Sequence, residues 1–121
     1  MKSNAASRKA SEELRAKLTS VLLYNIADPR LDMVTVTAVE VSKERDVADV
    51  YVSADKERYD EVLAGLAAAK GRIRSLVGKS LGWRTVPELR FRIDQSVDEA
   101  ERIAVVLGKE RSWQNSISDE R

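Results

Sequence analysis

The 121-residue chain has no cysteine and no histidine. Without cysteine there is no disulfide, no thiolate nucleophile and no zinc–thiolate centre. Without histidine the commonest general base and the commonest metal ligand are both missing. Aromatic residues are scarce, with one phenylalanine, three tyrosines and two tryptophans. Tyr51 and Tyr59 are therefore expected to pack in the core rather than to stack on bases. The longest apolar run, Val62 to Ala69 interrupted by Gly65, falls far short of the roughly 20 residues that span a bilayer. Residues Met1 to Ala6 lack the apolar segment of a signal peptide, so no membrane contact and a cytoplasmic location are expected. With 43% hydrophobic and 34% charged residues, the composition suits one domain that builds a core without covalent or metal staples.

The patterning gives the order helix, strand, strand, interrupted helix, strand, helix. From Arg8, Leu14, Leu18, Val21, Leu22 and Ile26 fall on one side of a helix. Ser7 or Ser11 is expected to cap it, and Pro29 to end it at Ala27-Asp28. Val34 to Ser42 is rich in β-branched residues, and its apolar phase slips by one between Val36 and Val39, which predicts a bulge or a doubly buried strand. After the charged loop Lys43 to Asp46, Val47 to Ala54 alternates as a second, antiparallel strand. A long helix from Lys56 to Leu81 buries Tyr59, Val62, Leu63, Leu66, Ile73, Leu76 and Val77, with an interruption at Gly71 and a stop at Gly82. Pro87 opens a third strand in which Leu89, Phe91 and Ile93 alternate with Arg90, Arg92 and Asp94. A final helix, capped by Ser96 or Asp98, carries Val97, Ile103, Val106 and Leu107. Residues 1–7 and 109–121 are expected to be flexible ends flanking one domain at 8–108.

Charge is unevenly placed. The net charge of the whole chain is only +1, yet Lys70, Arg72, Arg74, Lys79, Arg84, Arg90 and Arg92 are balanced by Glu88 alone between residues 70 and 92. Such a block points to a polyanionic partner. Arg90 and Arg92 must share one strand face, and Lys70 and Arg74, four apart, one helix face. If the two elements face the same way, they present their cations together to a phosphate backbone. The competing account is a set of solvated charges paired with Glu88, Asp94 and Glu101.

No catalytic constellation is present in the sequence. Gly78-Lys79-Ser80 resembles the end of a phosphate-binding loop, but the glycine required five residues earlier is Ile73, and no strand feeds the triplet. Asp55, Glu57, Asp60 and Glu61 are accounted for by the favourable field at a helix start. No catalytic residue, metal ligand or cofactor is assigned, and a non-enzymatic binding protein is expected. Three classes of partner stay open: RNA, another protein bound at the sheet edge or the acidic face, and duplex DNA gripped by a helix-turn-helix with its turn at Gly71.

Five segments narrow the choice. Asp28-Pro29-Arg30-Leu31, Val39-Glu40-Val41-Ser42, Ala48-Asp49-Val50-Tyr51-Val52-Ser53, Ile73-Arg74-Ser75-Leu76-Val77-Gly78-Lys79 and Val86-Pro87-Glu88-Leu89-Arg90-Phe91 occur in the order and spacing of the ribosome-binding factor A family. The resemblance covers roughly Arg8 to Leu107. It implies an α+β, type II KH-like fold: α-β-β-α-kink-α-β with an additional C-terminal helix and a three-stranded sheet. KH domains clamp RNA with a G-x-x-G loop between two helices. Ala69-Lys70-Gly71 instead resembles the family's A-x-G kink. The resemblance implies a monomer that binds the small (30S) ribosomal subunit and its rRNA during late maturation, assists 5′-end processing of 16S rRNA and supports growth in the cold. The RNA-contacting residues are then Lys70, Arg72, Arg74, Lys79, Arg84, Arg90 and Arg92, with Arg8 and Lys9 adding contacts from the first helix. The acidic Glu44, Asp46, Asp49, Asp55 and Glu57 are expected to face away from rRNA. Gly82 departs from the family, because many relatives carry arginine there, and Trp83 beside it is free to pack or stack. The tail beyond Lys109 is also shorter and less charged than in several relatives.

Overall fold

The computed structural model describes residues 5–96 together with Ile103, Ala104 and Leu107. The N-terminal residues 1–4, most of the expected last helix and the expected tail at 109–121 lie outside the described residues. Ile103, Ala104 and Leu107 are helical, as are Gln95 and Ser96.

Helix α1 spans Ala5–Tyr24. Leu14, Leu18, Val21 and Leu22 are buried along it as expected, together with Ala10, whereas Ile26 lies beyond the helix end and is partly buried. Both candidate caps turn out to be interior residues. The helix starts before them, and Ser7 and Ser11 are buried. Ser11 serves the sheet instead: its hydroxyl oxygen accepts the Val41 N–H at 3.0 Å, pairing a buried backbone donor. The helix also stops three residues before Ala27. Asp28 belongs to a separate 3-10 turn at Pro29–Leu31, where its carboxylate accepts the Arg30 N–H at 2.9 Å and the Arg30 guanidinium at 2.7 Å.

Strands β1 (Thr35–Val41) and β2 (Val47–Ser53) form the antiparallel hairpin, and β3 (Glu88–Ile93) adds parallel to β2. The order is β1-β2-β3. The register shifts between Val36 and Ala38, so the bulge predicted from the phase slip is present, with Thr37 as the extra residue. It lets Val36 and Val39 point the same way. Val36, Val39, Val41, Ala48, Val50, Val52 and Leu89 are buried, and their cross-strand pairing places them all on one face. Both helices cover that face, α1 against β1 and α2 (Tyr59–Leu81) against β3 and α1.

Helix α2 follows a 3-10 turn at Lys56–Arg58. The two segments expected on either side of Gly71 are joined in one helix that runs unbroken through Ala69, Lys70 and Gly71. It ends as expected at Gly82, whose φ of 67° places it in the left-handed region and whose N–H bonds the Gly78 carbonyl at 2.9 Å. Arg58 locks the start of α2 to the Pro29 turn, donating to the Asp32 carbonyl at 2.7 Å and the Arg30 carbonyl at 3.0 Å. Gly65 allows the crossing, because a Cβ there would lie 3.0 Å from Leu31 Cδ2 and 3.1 Å from Arg30 Cβ. At the end of β3, Asp94 accepts from the Thr37 hydroxyl at 2.6 Å and from the Ser96 N–H at 3.0 Å. The cap of the helical turn at Gln95 and Ser96 is therefore Asp94 rather than Ser96; the other expected cap, Asp98, lies outside the described residues.

Candidate nucleic-acid interface

The sheet separates the basic block into two groups. Register pairs Asp49 with Arg90 and Tyr51 with Arg92, so these side chains lie on the face opposite Leu89, away from the helices. Charge there is mixed. Arg92 pairs with Asp49 at 3.0 Å, which raises the Arg92 pKa, and Arg90 lies 3.9 Å from Glu88. The other bases sit on α2 and the loop after it, on the helix side of the sheet. Lys70 and Arg90 therefore do not face one partner surface together, contrary to the arrangement that sequence spacing allows.

The helix side is organised by α2. Val62, Leu66, Ile73 and Val77 are buried; Ala64, Ala67, Ala68, Gly71, Arg72, Ser75 and Lys79 are exposed or partly exposed. The outward stripe is thus small in its middle, with Lys70 at its margin. A Cβ placed on Gly71 would meet nothing within 4 Å. No packing inside the molecule demands glycine at that position, although a glycine in a helix interior costs about 1 kcal/mol relative to alanine. Acidic Asp60 and Glu61 open the helix and Lys79 closes it, the arrangement that the helix dipole favours.

Arg74 has an internal task. Its Nε donates to the Pro87 carbonyl at 3.1 Å and its Nη2 to the Val86 carbonyl at 2.6 Å, which fastens α2 to the approach of β3. Arg72 borders a shallow cavity of about 370 Å³ with Ala68, Ala69 and Asn25 to Asp28. Arg8 and Lys9 lie at the hairpin end of the molecule on the β1 side, beside Val39 and Glu40. Lys79, Trp83 and Arg84 lie at that same end on the β3 side. Arg45, which spacing left in a charged loop, joins them: its guanidinium carbon stands 5.6 Å from the centre of the Trp83 ring.

Other readings lose their footing in this geometry. A helix-turn-helix needs a turn between two helices, and α2 has none at Gly71. Among the described residues no group of three or more acidic side chains is arranged to hold a metal, and no helix is long and apolar enough to cross a membrane.

Residues 6–107 match the family model described as ribosome-binding factor A. The chain is 35% identical over 119 residues to ribosome-binding factor A of Hahella chejuensis, covering 92% of this chain and 88% of that one. The crystal structure of ribosome-binding factor A from Thermus thermophilus superposes with a TM-score of 0.67 at 30% identity, over 72% of this chain and 93% of that one. The solution structure of a Thermotoga maritima protein described as a putative ribosome-binding factor A gives 0.63 at 37% identity, over 74% and 89%. A Thermus thermophilus ribosome-binding factor A model fitted into a cryo-EM map of its complex with the 30S subunit gives 0.61 at 30% identity, over 70% and 91%. With the match running from the first turns of α1 past the end of β3, the chain belongs to the ribosome-binding factor A family.

Proposed function

We propose that this chain is a non-enzymatic, cytoplasmic assembly factor that binds the small ribosomal subunit as a monomer. In this reading it contacts rRNA phosphates during late maturation, including 5′-end processing of 16S rRNA and growth in the cold. Its relative from Thermus thermophilus was fitted into a map of a complex with the 30S subunit, which supports the partner. The observation that carries the surface is the outward stripe of α2, where Ala64, Ala67, Ala68, Gly71 and Ser75 let a phosphate backbone approach the helix closely. Lys70, Arg72, Lys79 and Arg84 flank that approach. Contacts of this kind position a protein without reading sequence, so the shape of the immature subunit supplies selectivity. Arg8 and Lys9 extend the basic surface at the hairpin end, whereas Arg74 acts chiefly on the loop it holds, and Arg90 and Arg92 form a separate surface.

The test is co-sedimentation of the purified chain with immature and mature small subunits at low and moderate salt. Stronger binding to immature subunits, weakened by salt, is the expected result. Absence of binding to either form overturns the reading. One observation favours a protein partner instead: Leu23, Tyr24 and Met33 are all exposed, Met33 at 88%, beside the free edge of β1. Retained partner binding after Arg72→Glu with Lys79→Glu, and its loss after Leu23→Asp with Met33→Asp, would support that second reading.

A further inference from the structure

The corner where the β1–β2 hairpin meets the end of α2 has a geometry that the phosphate-binding stripe does not explain. The hairpin turn is tightly fixed. The Ser42 carbonyl accepts the Arg45 N–H at 2.9 Å, and the Ser42 hydroxyl oxygen accepts the N–H groups of Asp46 and Val47 at 3.1 and 3.2 Å while donating to the Asp46 carboxylate at 2.6 Å. Within this turn Arg45 has a φ of 63°, a region that favours glycine or asparagine and disfavours a long side chain. The Arg45 guanidinium lies over the Trp83 ring. Trp83 itself is half-buried and braced against the core, so the ring is held in place. Around them Glu44, Arg45, Asp46, Trp83, Arg84 and Thr85 line a shallow, open depression of about 410 Å³.

We propose that this corner binds one unpaired nucleobase together with its own phosphate. The base stacks against the Trp83–Arg45 pair, since both an indole ring and a guanidinium plane offer stacking surfaces to a base. Arg84, exposed at the rim, neutralises the phosphate. The mixed charge of the lining fits a nucleotide better than a bare anion. This reverses the expectation that Glu44 and Asp46 face away from rRNA: they repel a phosphate placed between them but accept from the amino and imino groups of a base edge. Lys79, one turn before Trp83, leads the backbone in from the α2 stripe. The ligand is therefore single-stranded RNA at this point, and the inference rests on the reading that α2 meets rRNA.

The test uses the full chain carrying Trp113→Phe, which leaves Trp83 as the sole tryptophan. The probes are a hexa-adenylate ribonucleotide and an abasic oligonucleotide of the same length and charge. Hexa-adenylate is expected to quench the Trp83 emission at least twofold, and the abasic probe to leave it unchanged. Arg45→Gly removes the guanidinium while relieving the turn, so binding should weaken at least fivefold with no fall in melting temperature. Equal binding of the two probes, saturable binding of hexa-adenylate without quenching, or no binding of hexa-adenylate overturns the proposal. Co-sedimentation with small subunits, run on the same protein, separates the two claims. Subunit binding without base-dependent quenching sinks the nucleobase site alone, and loss of both sinks the subunit reading with it.

Discussion

Gly71→Ala is expected to make the protein more stable and a poorer subunit binder. Gly71 lies inside α2 with an ordinary helical backbone, and an added Cβ meets nothing within 4 Å. Packing contributes nothing to the change, so the helix-propensity difference should appear almost undiminished, at about 0.8–1.0 kcal/mol in favour of alanine. For a domain of this size that raises the melting temperature by roughly 3–6 °C. The same methyl group stands on the stripe that a phosphate backbone would approach. A tenfold loss of affinity for immature subunits, about 1.4 kcal/mol, is the expected scale. Gly78→Ala is the internal control, because its Cβ would lie 2.7 Å from Val86 Cγ2. The stiff valine cannot swing away, and overpacking of about 1–3 kcal/mol outweighs the propensity gain. Thermal melts monitored by circular dichroism, with co-sedimentation on the same samples, read both effects. A lowered melting temperature for Gly71→Ala would mean that the helix is strained at that residue. Unchanged subunit binding would mean that the glycine is not kept for close approach.

Four further outcomes are expected. Arg74→Ala leaves the Val86 and Pro87 carbonyls without their guanidinium partner and should cost about 1 kcal/mol of stability, read as a lower urea midpoint. Arg72→Glu with Lys79→Glu should abolish subunit binding, whereas Arg90→Glu with Arg92→Glu should largely spare it, because the sheet stands between the two surfaces; equal loss in both variants would refute that division. If four cations on the helix side neutralise phosphates, the plot of log binding constant against log salt should have a slope of roughly −3, and a flat plot would exclude a charge-driven complex. The hydrogen bonds from Ser96 and Thr37 lower the pKa of Asp94 in the folded state. Its stabilising contribution is then full above the unfolded value of about 3.9 and is lost as the pH falls through the lower folded value. The gap in urea midpoint between the parent chain and Asp94→Ala should accordingly narrow as the pH drops below about 4.

Local chemistry made much of this fold legible in the sequence. The phase slip between Val36 and Val39 is accommodated by a residue that leaves the ladder, and Thr37 does so. Gly82 ends α2 because its left-handed backbone suits glycine. The alternation of Leu89 with Arg90 and of Phe91 with Arg92 follows from the two-residue period of any strand. Other features depend on what a residue meets across the chain, which spacing does not encode. Ser11 looks like a helix cap until Val41 arrives with an unpaired N–H. Arg58 and Gly65 acquire their roles only when the Pro29 turn crosses α2. Gly71 reads as an interruption within a continuous buried face, and α2 stays helical through it with Leu66, Ile73 and Val77 all buried. The basic block is the clearest case. Its excess of positive charge is fixed by the sequence, but the parallel return of β3 beside β2 sends Arg90 and Arg92 to one side of the sheet while α2 keeps Lys70, Arg72 and Lys79 on the other. The order of residues determined that a basic block lies between positions 70 and 92; the tertiary structure decided which of its cations share a surface, because a packed sheet between two sets of side chains prevents one flat partner from touching both.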